Sequence, residues 1–422
     1  MKLNNIGRGA LASILSLAVG LGVTACSRDY TLAYVYVTTS APLAAASSTD
    51  GGVSAFAVDY QSGALTPLAD SPIPAGKKPV ALVVSPASAN GQFVYVVNHD
   101  DSTVMEFSIG TDGKLYLKNT YNTTGSLPTA AAIDASGKFL YVTNTYQNGP
   151  GNSQLYTPAS PGPGSVTIFG ISATDGGSLT VAGTQNVGNL PVAVVASKLS
   201  NYVYVLDQEQ ATTPSPLGVI LGYSEDTGSG ALTPTTGGTV VLNGVPVVNG
   251  YPAGTTPSAI AEDPSARFVY VTDKATNQLY GYLTGTNGAL TTMTNGPFST
   301  GTFPVSVTID PRGKYLYVSN YNDNTVGAYA IDIATGAPVS STGSATTSVG
   351  TTPTCIAIEP ALGKYLYVSN YLDGTVTGEK LDSHNGGLTA IQNTPFPSSG
   401  LPTCAVAVAN GSYGHPTQII NP

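Results

Sequence analysis

Asparagine and aspartate side chains recur along the chain, each directly after a short run that contains a Tyr-Val pair. They are Asn98, Asn144, Asp207, Asp273, Asn320 and Asn370. Such carboxamide and carboxylate groups could bind a sugar or a cation if the fold gathers them at one opening. The alternative is that each side chain caps its own loop through an Asx turn. Which of the two applies depends on the elements that carry these residues.

One of these residues precedes a histidine with acidic neighbours. His99 follows Asn98 and is followed by Asp100 and Asp101. An imidazole beside a carboxylate can act as a general base, because the carboxylate orients the ring and stabilises its charged form. A solvated loop histidine is the alternative. His99 and Asp100 are therefore candidate catalytic residues.

The runs that precede these residues are copies of one pattern. The stretch KYLYVSNY occurs at Lys314 and again at Lys364, and looser copies place Tyr-Val pairs at residues 36, 95, 141, 204, 270, 317 and 367. An apolar run that begins with Pro precedes most of these copies. Each copy is followed by a run in which apolar and polar residues alternate, and then by a turn that contains Gly. Four short strands per repeat, at a spacing of about fifty residues, predict an all-β fold. The specific prediction is a seven-bladed β-propeller of four-stranded antiparallel blades.

The two ends of the chain are predicted to share one blade. We name the strands of a repeat a, b, c and d, with strand a after the proline and strand b containing Tyr-Val. The chain begins on a b strand, Tyr34 to Thr38, and its last clear strand is an a strand, Thr403 to Val408. Pairing them leaves no free sheet edge at the junction. The segment HPTQII, from His415 to Ile420, is a second candidate for the b position.

The second residue after each proline is small in every repeat. These residues are Ala81, Ala130, Ala193, Ala259, Ser306, Cys355 and Cys404. Small side chains suit the innermost strands, which converge on the axis of a propeller. A disulfide between the two cysteines is one interpretation. We favour small apolar fillers, because we expect inner strands of different blades to exceed the ~4.4–6.8 Å Cα separation of a disulfide.

The long insertions are predicted to lie on one face. The d-to-a and b-to-c loops open on that face, and they contain the insertions Thr39 to Gly52, Thr145 to Ser165, Gln208 to Gly218 and Thr233 to Thr256. The a-to-b loops of the opposite face are short. Because loop variation on a rigid scaffold often carries function, we expect the insertion-bearing face, around the channel mouth, to be the functional one.

The overall charge excludes one class of partner. The formal net charge is -9, and the 15 Lys and Arg residues form no basic run. A nucleic-acid partner is excluded on this ground. The sequence contains no recognisable metal-binding, phosphate-binding or haem-attachment motif, so we expect no metal and no cofactor.

Residues 1–25 are interpreted as a signal peptide. Their apolar run, Ala10 to Val23, is too short to span a bilayer as a mature helix. The sequence Val23-Thr24-Ala25-Cys26 resembles the lipobox of bacterial lipoproteins, and an ordinary secretory signal is the alternative. We expect an exported protein that is attached to the cell envelope by lipid on Cys26, with a polypeptide chain that does not enter the bilayer. Ser27 after the cysteine favours the outer membrane if the cell is Gram-negative. Residues 26–33 are then an anchor linker, and residues 34–422 are the propeller.

The combined pattern of the repeats, G-x-x-P, D-x-x-G-K-x-L-Y-V-S-N, T-V and G-x-L-T, resembles that of lactonase-like seven-bladed propellers. This family includes cycloisomerase-type 6-phosphogluconolactonases and YVTN-repeat surface proteins. The resemblance implies, for its enzymes, a channel mouth lined with His, Glu and Arg, often with His directly after the proline of a blade. Here those positions hold Val80, Thr129, Val192, Ser258, Val305, Thr354 and Thr403.

Two hypotheses about function follow. The first is a non-catalytic monomer on the cell envelope that binds a glycan, a small molecule or a protein through the insertion-bearing face. The second is a periplasmic lactonase. Ring opening needs a general base near a polarised carbonyl, for which His99, Asp100, Asp207 and Glu209 are the candidates.

Overall fold

The computed structural model confirms a seven-bladed propeller. It describes residues 31–40, 50–88, 90–148, 163–208, 218–238, 240–242, 245–343 and 345–411. Each blade is an antiparallel sheet with its strands in the order a, b, c, d. The a strands contact one another in a closed ring, so they are the innermost strands.

The strands have the following bounds. Blade 1 contains β5 (Pro79–Val84), β6 (Phe93–Asn98), β7 (Thr103–Ile109) and β8 (Leu115–Asn122). Blade 2 contains β9 (Ser126–Ile133), β10 (Phe139–Tyr146), β11 (Ser165–Ile171) and β12 (Leu179–Asn186). Blade 3 contains β13 (Pro191–Ala196), β14 (Tyr202–Asp207), β15 (Val219–Glu225), β16 (Leu232–Pro234) and β19 (Gly250–Pro252), with a separate hairpin of β17 (Val240–Leu242) and β18 (Val245–Val247). Blade 4 contains β20 (Pro257–Glu262), β21 (Phe268–Asp273), β22 (Gln278–Thr284), β23 (Leu290–Thr292) and β24 (Phe298–Ser299). Blade 5 contains β25 (Pro304–Ile309), β26 (Tyr315–Asn320), β27 (Thr325–Ile331), β28 (Pro338–Ser340) and β29 (Thr346–Ser348). Blade 6 contains β30 (Pro353–Ile358), β31 (Tyr365–Asn370), β32 (Thr375–Leu381), β33 (Leu388–Ala390) and β34 (Phe396–Pro397). The closing blade contains β35 (Pro402–Ala409), β1 (Thr31–Thr39), β2 (Gly52–Asp59), β3 (Leu65–Pro67) and β4 (Ile73–Pro74).

The predicted pairing of the two chain ends is confirmed. Strand β35 pairs with β1 in antiparallel register, with Cys404 opposite Thr38 and Val406 opposite Tyr36. Strand β1 begins at Thr31, so it takes in part of the segment expected to be a linker. The competing segment HPTQII lies outside the described residues.

The outer strands differ from the simple four-strand expectation. In five blades the outermost strand is split, and its two short pieces pair with opposite halves of strand c. In blade 4, for example, β23 pairs with the end of β22, whereas β24 pairs with its beginning. Only the edge strand is interrupted, which leaves the inner three strands of each blade intact.

The tyrosine of every Tyr-Val pair joins its blade to the next one. Each hydroxyl donates a hydrogen bond to the backbone carbonyl of a glycine in the neighbouring c-to-d turn, at 2.6–3.0 Å. The pairs are Tyr36 with Gly113, Tyr95 with Gly177, Tyr141 with Gly230, Tyr204 with Gly288, Tyr270 with Gly336, Tyr317 with Gly386 and Tyr367 with Gly63. All seven tyrosines are 0% exposed. The repeat therefore recurs because one contact is made at every junction of the ring.

The turn glycines also accommodate a second aromatic ring. Gly386 has a φ of +73°, in the left-handed region, and a Cβ atom there would lie 2.3 Å from the ring of Tyr315. Tyr315 begins strand b, two positions before Tyr317, so both rings project towards the same neighbouring blade. A side chain at this turn would therefore be strained in its backbone and would displace the ring.

One interface contains a buried acid in place of an aromatic ring. The fifth residue of strand c is aromatic in the other blades, at Phe56, Phe107, Phe169, Tyr223, Tyr282 and Tyr329. In blade 6 this residue is Glu379, which is 1% exposed. Its Oε2 atom has no hydrogen-bond partner in the described part of the chain. Burial raises the pKa of the Glu379 carboxyl to about 7, so this carboxyl keeps its proton at pH values where an exposed glutamate is ionised.

The interpretation of the two inner cysteines is wrong. Cys355 and Cys404 form a disulfide, with Cα atoms 4.8 Å apart. Strands β30 and β35 belong to neighbouring blades and contact each other. The sequence analysis predicts a larger separation, but the inner strands converge so strongly on the axis that their Cα atoms come within disulfide range.

Candidate functional site

One pair of residues from each blade forms the channel mouth on the insertion-bearing face. The residue before the proline of strand a lies opposite the first residue after the Asn, Asp or Thr of strand b. In six blades the backbone N–H of the residue after strand b donates a hydrogen bond to the carbonyl of the residue before the proline, at 2.9–3.1 Å. In blade 2 the Thr145 hydroxyl donates to the carbonyl of Leu127 at 2.9 Å. These mouth residues are Leu401 and Ser40, Lys78 and His99, Leu127 and Thr145, Leu190 and Gln208, Thr256 and Lys274, Phe303 and Tyr321, and Thr352 and Tyr371.

The mouth residues carry positive charge in an acidic protein. They include Lys78 and Lys274 and no Asp or Glu, although the chain has 24 acidic residues against 15 Lys and Arg. These pairs continue the innermost ladder of each blade past the ends of strands a and b, so they lie around the end of the channel. The mouth therefore offers cationic and neutral groups to a ligand, with the Asp100 carboxylate beside Lys78 and His99.

Blades 4 and 5 combine a cation with aromatic rings at the mouth. The rings of Phe303 and Tyr321 have centroids 5.8 Å apart and are tilted by 51°. The Nζ atom of Lys274 lies 5.7 Å from the centroid of Phe303. All three side chains are half-buried, and burial lowers the pKa of Lys274, an effect that Asp273 opposes. Aromatic faces beside a cation can bind a planar or ring-shaped polar ligand by stacking.

The residues directly after the prolines join blades where the resemblance implied histidines. The Thr129 hydroxyl donates to the carbonyl of Pro191 at 3.0 Å. The corresponding bonds run from Ser258 to Pro304, from Thr354 to Pro402 and from Thr403 to Pro79, at 2.7–3.3 Å. The other three positions are valines, Val80, Val192 and Val305. These positions therefore have a packing role in the structure.

The Asn and Asp side chains at the ends of the b strands hold the loops of the mouth. All are 0–1% exposed. Asn98 accepts a hydrogen bond from the N–H of Gly76 at 3.1 Å and donates one to Thr103 at 3.1 Å. Asp207 accepts from the N–H of Leu190, Asp273 accepts from Thr255, Asn144 donates to Thr167, Asn320 donates to Thr325, and Asn370 donates to Thr375. These contacts join strand b to the preceding loop or to strand c, whereas ligand binding by these residues stays a prediction.

Two of the four catalytic candidates lie together. His99 Nδ1 is 2.6 Å from Asp100 Oδ1, and Lys78 Nζ is 3.9 Å from the same oxygen. Burial lowers the pKa of His99 below its usual value, while the hydrogen bond with Asp100 opposes that shift. Asp207 lies in blade 3, where its carboxylate accepts the N–H of Leu190. Glu209 lies outside the described residues.

The remaining cationic residues that a lactonase site could use lie elsewhere. Arg267 and Arg312 belong to a-to-b loops on the opposite face, where the Arg312 Nε atom is 2.7 Å from Asp310. Within the described ranges, no group of three or more His, Cys, Asp and Glu residues is placed to hold a metal ion. Across those same ranges, no helix is both long and apolar enough to span a membrane. The proposed lipid site, Cys26, lies outside the described residues.

The sequence analysis missed the group formed by Lys274, Phe303 and Tyr321. A signal was present, because Tyr321 and Tyr371 both end the stretch KYLYVSNY. Their position, however, acquires meaning only when strands a and b pair. The sequence does not show that Phe303 faces Tyr321 across that ladder.

Comparison with known proteins agrees with this geometry. Residues 86–148 and 229–358 match a family model described as "Lactonase, 7-bladed beta-propeller". The chain is a seven-bladed β-propeller that is similar to lactonases of this kind over these residues. The chain matches no curated protein.

Solved structures share the fold at low sequence identity. A Bacteroides fragilis protein provisionally named as a 6-phosphogluconolactonase is 21% identical, with a TM-score of 0.68 over 91% of this chain and 99% of that one. The periplasmic gluconolactonase PpgL of Pseudomonas aeruginosa is 19% identical, with a TM-score of 0.66 over 90% and 99% of the two chains. Hydrazine synthase of Kuenenia stuttgartiensis is 16% identical, with a TM-score of 0.54 over 78% and 92%. These names span different reactions, so the likeness shows the fold alone, and the activity of this propeller has to be argued from its own residues.

Proposed function

We propose that this propeller is a binding module of the cell envelope that takes a saccharide at its channel mouth. The observation that carries the proposal is the arrangement of Lys274 over Phe303, with Tyr321 beside them. The apolar face of a sugar ring can stack on an aromatic face, while its hydroxyl groups accept hydrogen bonds from a cation. Tyr371, at the equivalent place in blade 6, extends the aromatic surface along the mouth.

The pattern of polar contacts supports binding over catalysis. The positions where lactonases are expected to carry histidine are occupied by valines and by hydroxyl groups that bond the next blade. A lactone carbonyl needs donors aimed at its oxygen, and the two arginines of the described chain lie on the opposite face. The residues of the mouth therefore favour binding of a sugar ring over hydrolysis of a lactone ring.

A periplasmic lactonase is the second candidate, and the family-model match favours it. His99 would act as the general base, because Asp100 orients its ring and burial keeps it largely neutral near pH 7. Lys78 would supply the positive charge beside the developing oxyanion. Asp207 and Glu209 complete the set proposed from the sequence.

A glycan array and a lactone panel separate the two candidates. The exported domain, residues 26–422, is expected to bind one or more saccharides and to hydrolyse no sugar lactone above background. Turnover that is abolished in His99→Ala and retained in Tyr321→Ala would establish the lactonase instead. Absence of both binding and turnover would reject both candidates.

We also propose that the protein is exported and anchored by lipid on Cys26. The support is the apolar run followed by Val23-Thr24-Ala25-Cys26. Strand β1 begins at Thr31, so a short tether would hold the propeller close to the membrane surface. Saccharides of the cell envelope would then lie within reach of the mouth.

A further inference from the structure

The channel has a second opening, on the face opposite the mouth. Here a cavity of about 650 Å³ is bounded by the last residues of the a strands from the closing blade and blades 1 to 3. The a-to-b loops add Pro86 and Pro360 to its wall. Small-molecule sites usually measure ~300–1,000 Å³, so the volume suits a ligand.

The wall of this cavity is largely aliphatic. Val83, Ala132, Val195 and Ala407 line it, and each is only half-buried. Their exposed apolar surface faces the cavity, where covering it is favourable by roughly 25 cal/mol per Å². An apolar body of a ligand therefore fits this wall better than a sugar does.

The polar groups around the wall are mostly engaged with the protein itself. Asp134 is 5% exposed and accepts the N–H groups of Ser136 and Phe139 at 2.9 and 2.7 Å. The Ser85 hydroxyl accepts the N–H of Phe93 at 3.0 Å, and the Gln92 amide donates to the Ser85 carbonyl at 3.0 Å. Little hydrogen-bonding capacity remains there for a polar ligand.

Lys198 is the cationic side chain that lines the cavity. It is exposed, and its ammonium group makes no ion pair in the part of the chain that the structure describes. Its backbone N–H donates to Glu262 at 3.0 Å, which fixes the loop at the rim. Burial raises the pKa of the Glu262 carboxyl, whereas the backbone N–H and the positive charge of Lys198 lower it.

We infer that the cavity binds an amphiphile with an apolar body and a single anionic headgroup, with the headgroup at Lys198. A medium-chain carboxylate has this chemistry. The site lies at the other end of the channel from Lys274, Phe303 and Tyr321, so it is independent of the proposed saccharide site.

Calorimetric titration of the full chain with octanoate and with octanol tests the inference. The two probes have the same apolar body and differ in charge. Octanoate is expected to bind about threefold to tenfold more tightly, as a surface ion pair allows. In Lys198→Met this preference should disappear, with octanol affinity unchanged.

Two filling variants test the location of the probes. Ala132→Leu and Ala407→Leu each reduce the volume of the cavity, and the two residues belong to different blades. Each variant should lower the affinity for octanoate and for octanol at least about tenfold. Melting curves identify a variant that fails to fold, in which case the other decides. Lys274→Met at the mouth should leave both affinities unchanged.

Three results would overturn the inference. They are no binding of octanoate to the wild-type chain, octanoate binding that survives in a folded filling variant, and an octanoate preference that persists in Lys198→Met. A loss of octanoate binding in Lys274→Met would place the probe at the mouth and would overturn it as well. None of these results bears on saccharide binding.

Discussion

Removal of one junction hydroxyl should destabilise the whole ring. In Tyr317→Phe the carbonyl of Gly386 loses the hydrogen bond it accepts at 3.0 Å. Tyr317 is 0% exposed, so water does not readily replace the lost partner. A buried acceptor left without a partner costs about 1–3 kcal/mol in the free energy of unfolding. The substitution removes no other heavy atom, so little cavity cost is added.

The matched control is Tyr321→Phe, four residues later in the same repeat. Tyr321 is half-buried at the mouth, where the same change should cost less than about 0.5 kcal/mol. Gly386→Ala should cost more than either, because it strains a backbone at φ +73° and displaces the Tyr315 ring.

Urea unfolding of the mature chain measures these differences. The midpoint should fall in Tyr317→Phe with an unchanged dependence on urea, because the blades unfold together as one ring. Equal midpoints for Tyr317→Phe and Tyr321→Phe would refute the role of the junction hydroxyls. A second transition confined to the variant would show that blades unfold separately.

Further predictions concern an acid, a disulfide and the anchor. The pKa of Glu379 rises from 4.5 to about 7 on folding, so the folded state binds this proton more tightly. The stabilisation from this proton is fully present below pH 4.5 and is lost as the pH rises through about 7. Between pH 5 and pH 8 the free energy of unfolding of the wild type, measured by urea unfolding, should therefore fall by on the order of 1–3 kcal/mol more than that of Glu379→Gln. An equal dependence of the unfolding free energy on pH in the two proteins would contradict this prediction. Replacing both Cys355 and Cys404 with Ala should lower the free energy of unfolding by about 2–4 kcal/mol, and the variant should equal the wild type measured under reducing conditions. Cys26→Ala should release the protein from the membrane fraction, and unchanged fractionation without lipid labelling of the wild type would reject the anchor.

The fold was predictable because each repeat carries its own evidence. The Tyr-Val pair, the proline before strand a and the glycine of the c-to-d turn each perform one task in every blade. Tyr317 and Gly386 illustrate this, since their contact recurs around the ring and a repeated contact leaves a repeated pattern. The closing blade followed from the strand at each end of the chain.

The site and the disulfide were harder to predict because they depend on distances between blades. Cys355 and Cys404 come within 4.8 Å only because the inner strands converge on the axis. Lys274 reaches Phe303 across a blade junction, and neither residue belongs to the repeated pattern. The Asn and Asp residues do belong to it, and the structure shows that they hold the mouth loops in place.

The cavity at the opposite opening also lies where sequence reasoning did not look. Insertions mark the mouth, whereas the opposite opening is lined by Val83, Ala132 and other residues of the regular a strands. Such residues satisfy the pattern of a buried strand. Their partial exposure to the channel emerges only when the seven blades close.

Saccharide affinity, compared between a mouth tyrosine variant and a control tyrosine variant, is the most direct test of the proposed function. The affinity of the best saccharide from the array is measured by calorimetry for the wild type, Tyr321→Ala and Tyr116→Ala. Tyr116 is 53% exposed on β8, an outer strand of blade 1, so it controls for the loss of a surface tyrosine. The proposal predicts a loss of about tenfold or more in Tyr321→Ala, as one aromatic contact allows, and no change in Tyr116→Ala. Equal affinity in all three proteins would contradict binding at the channel mouth.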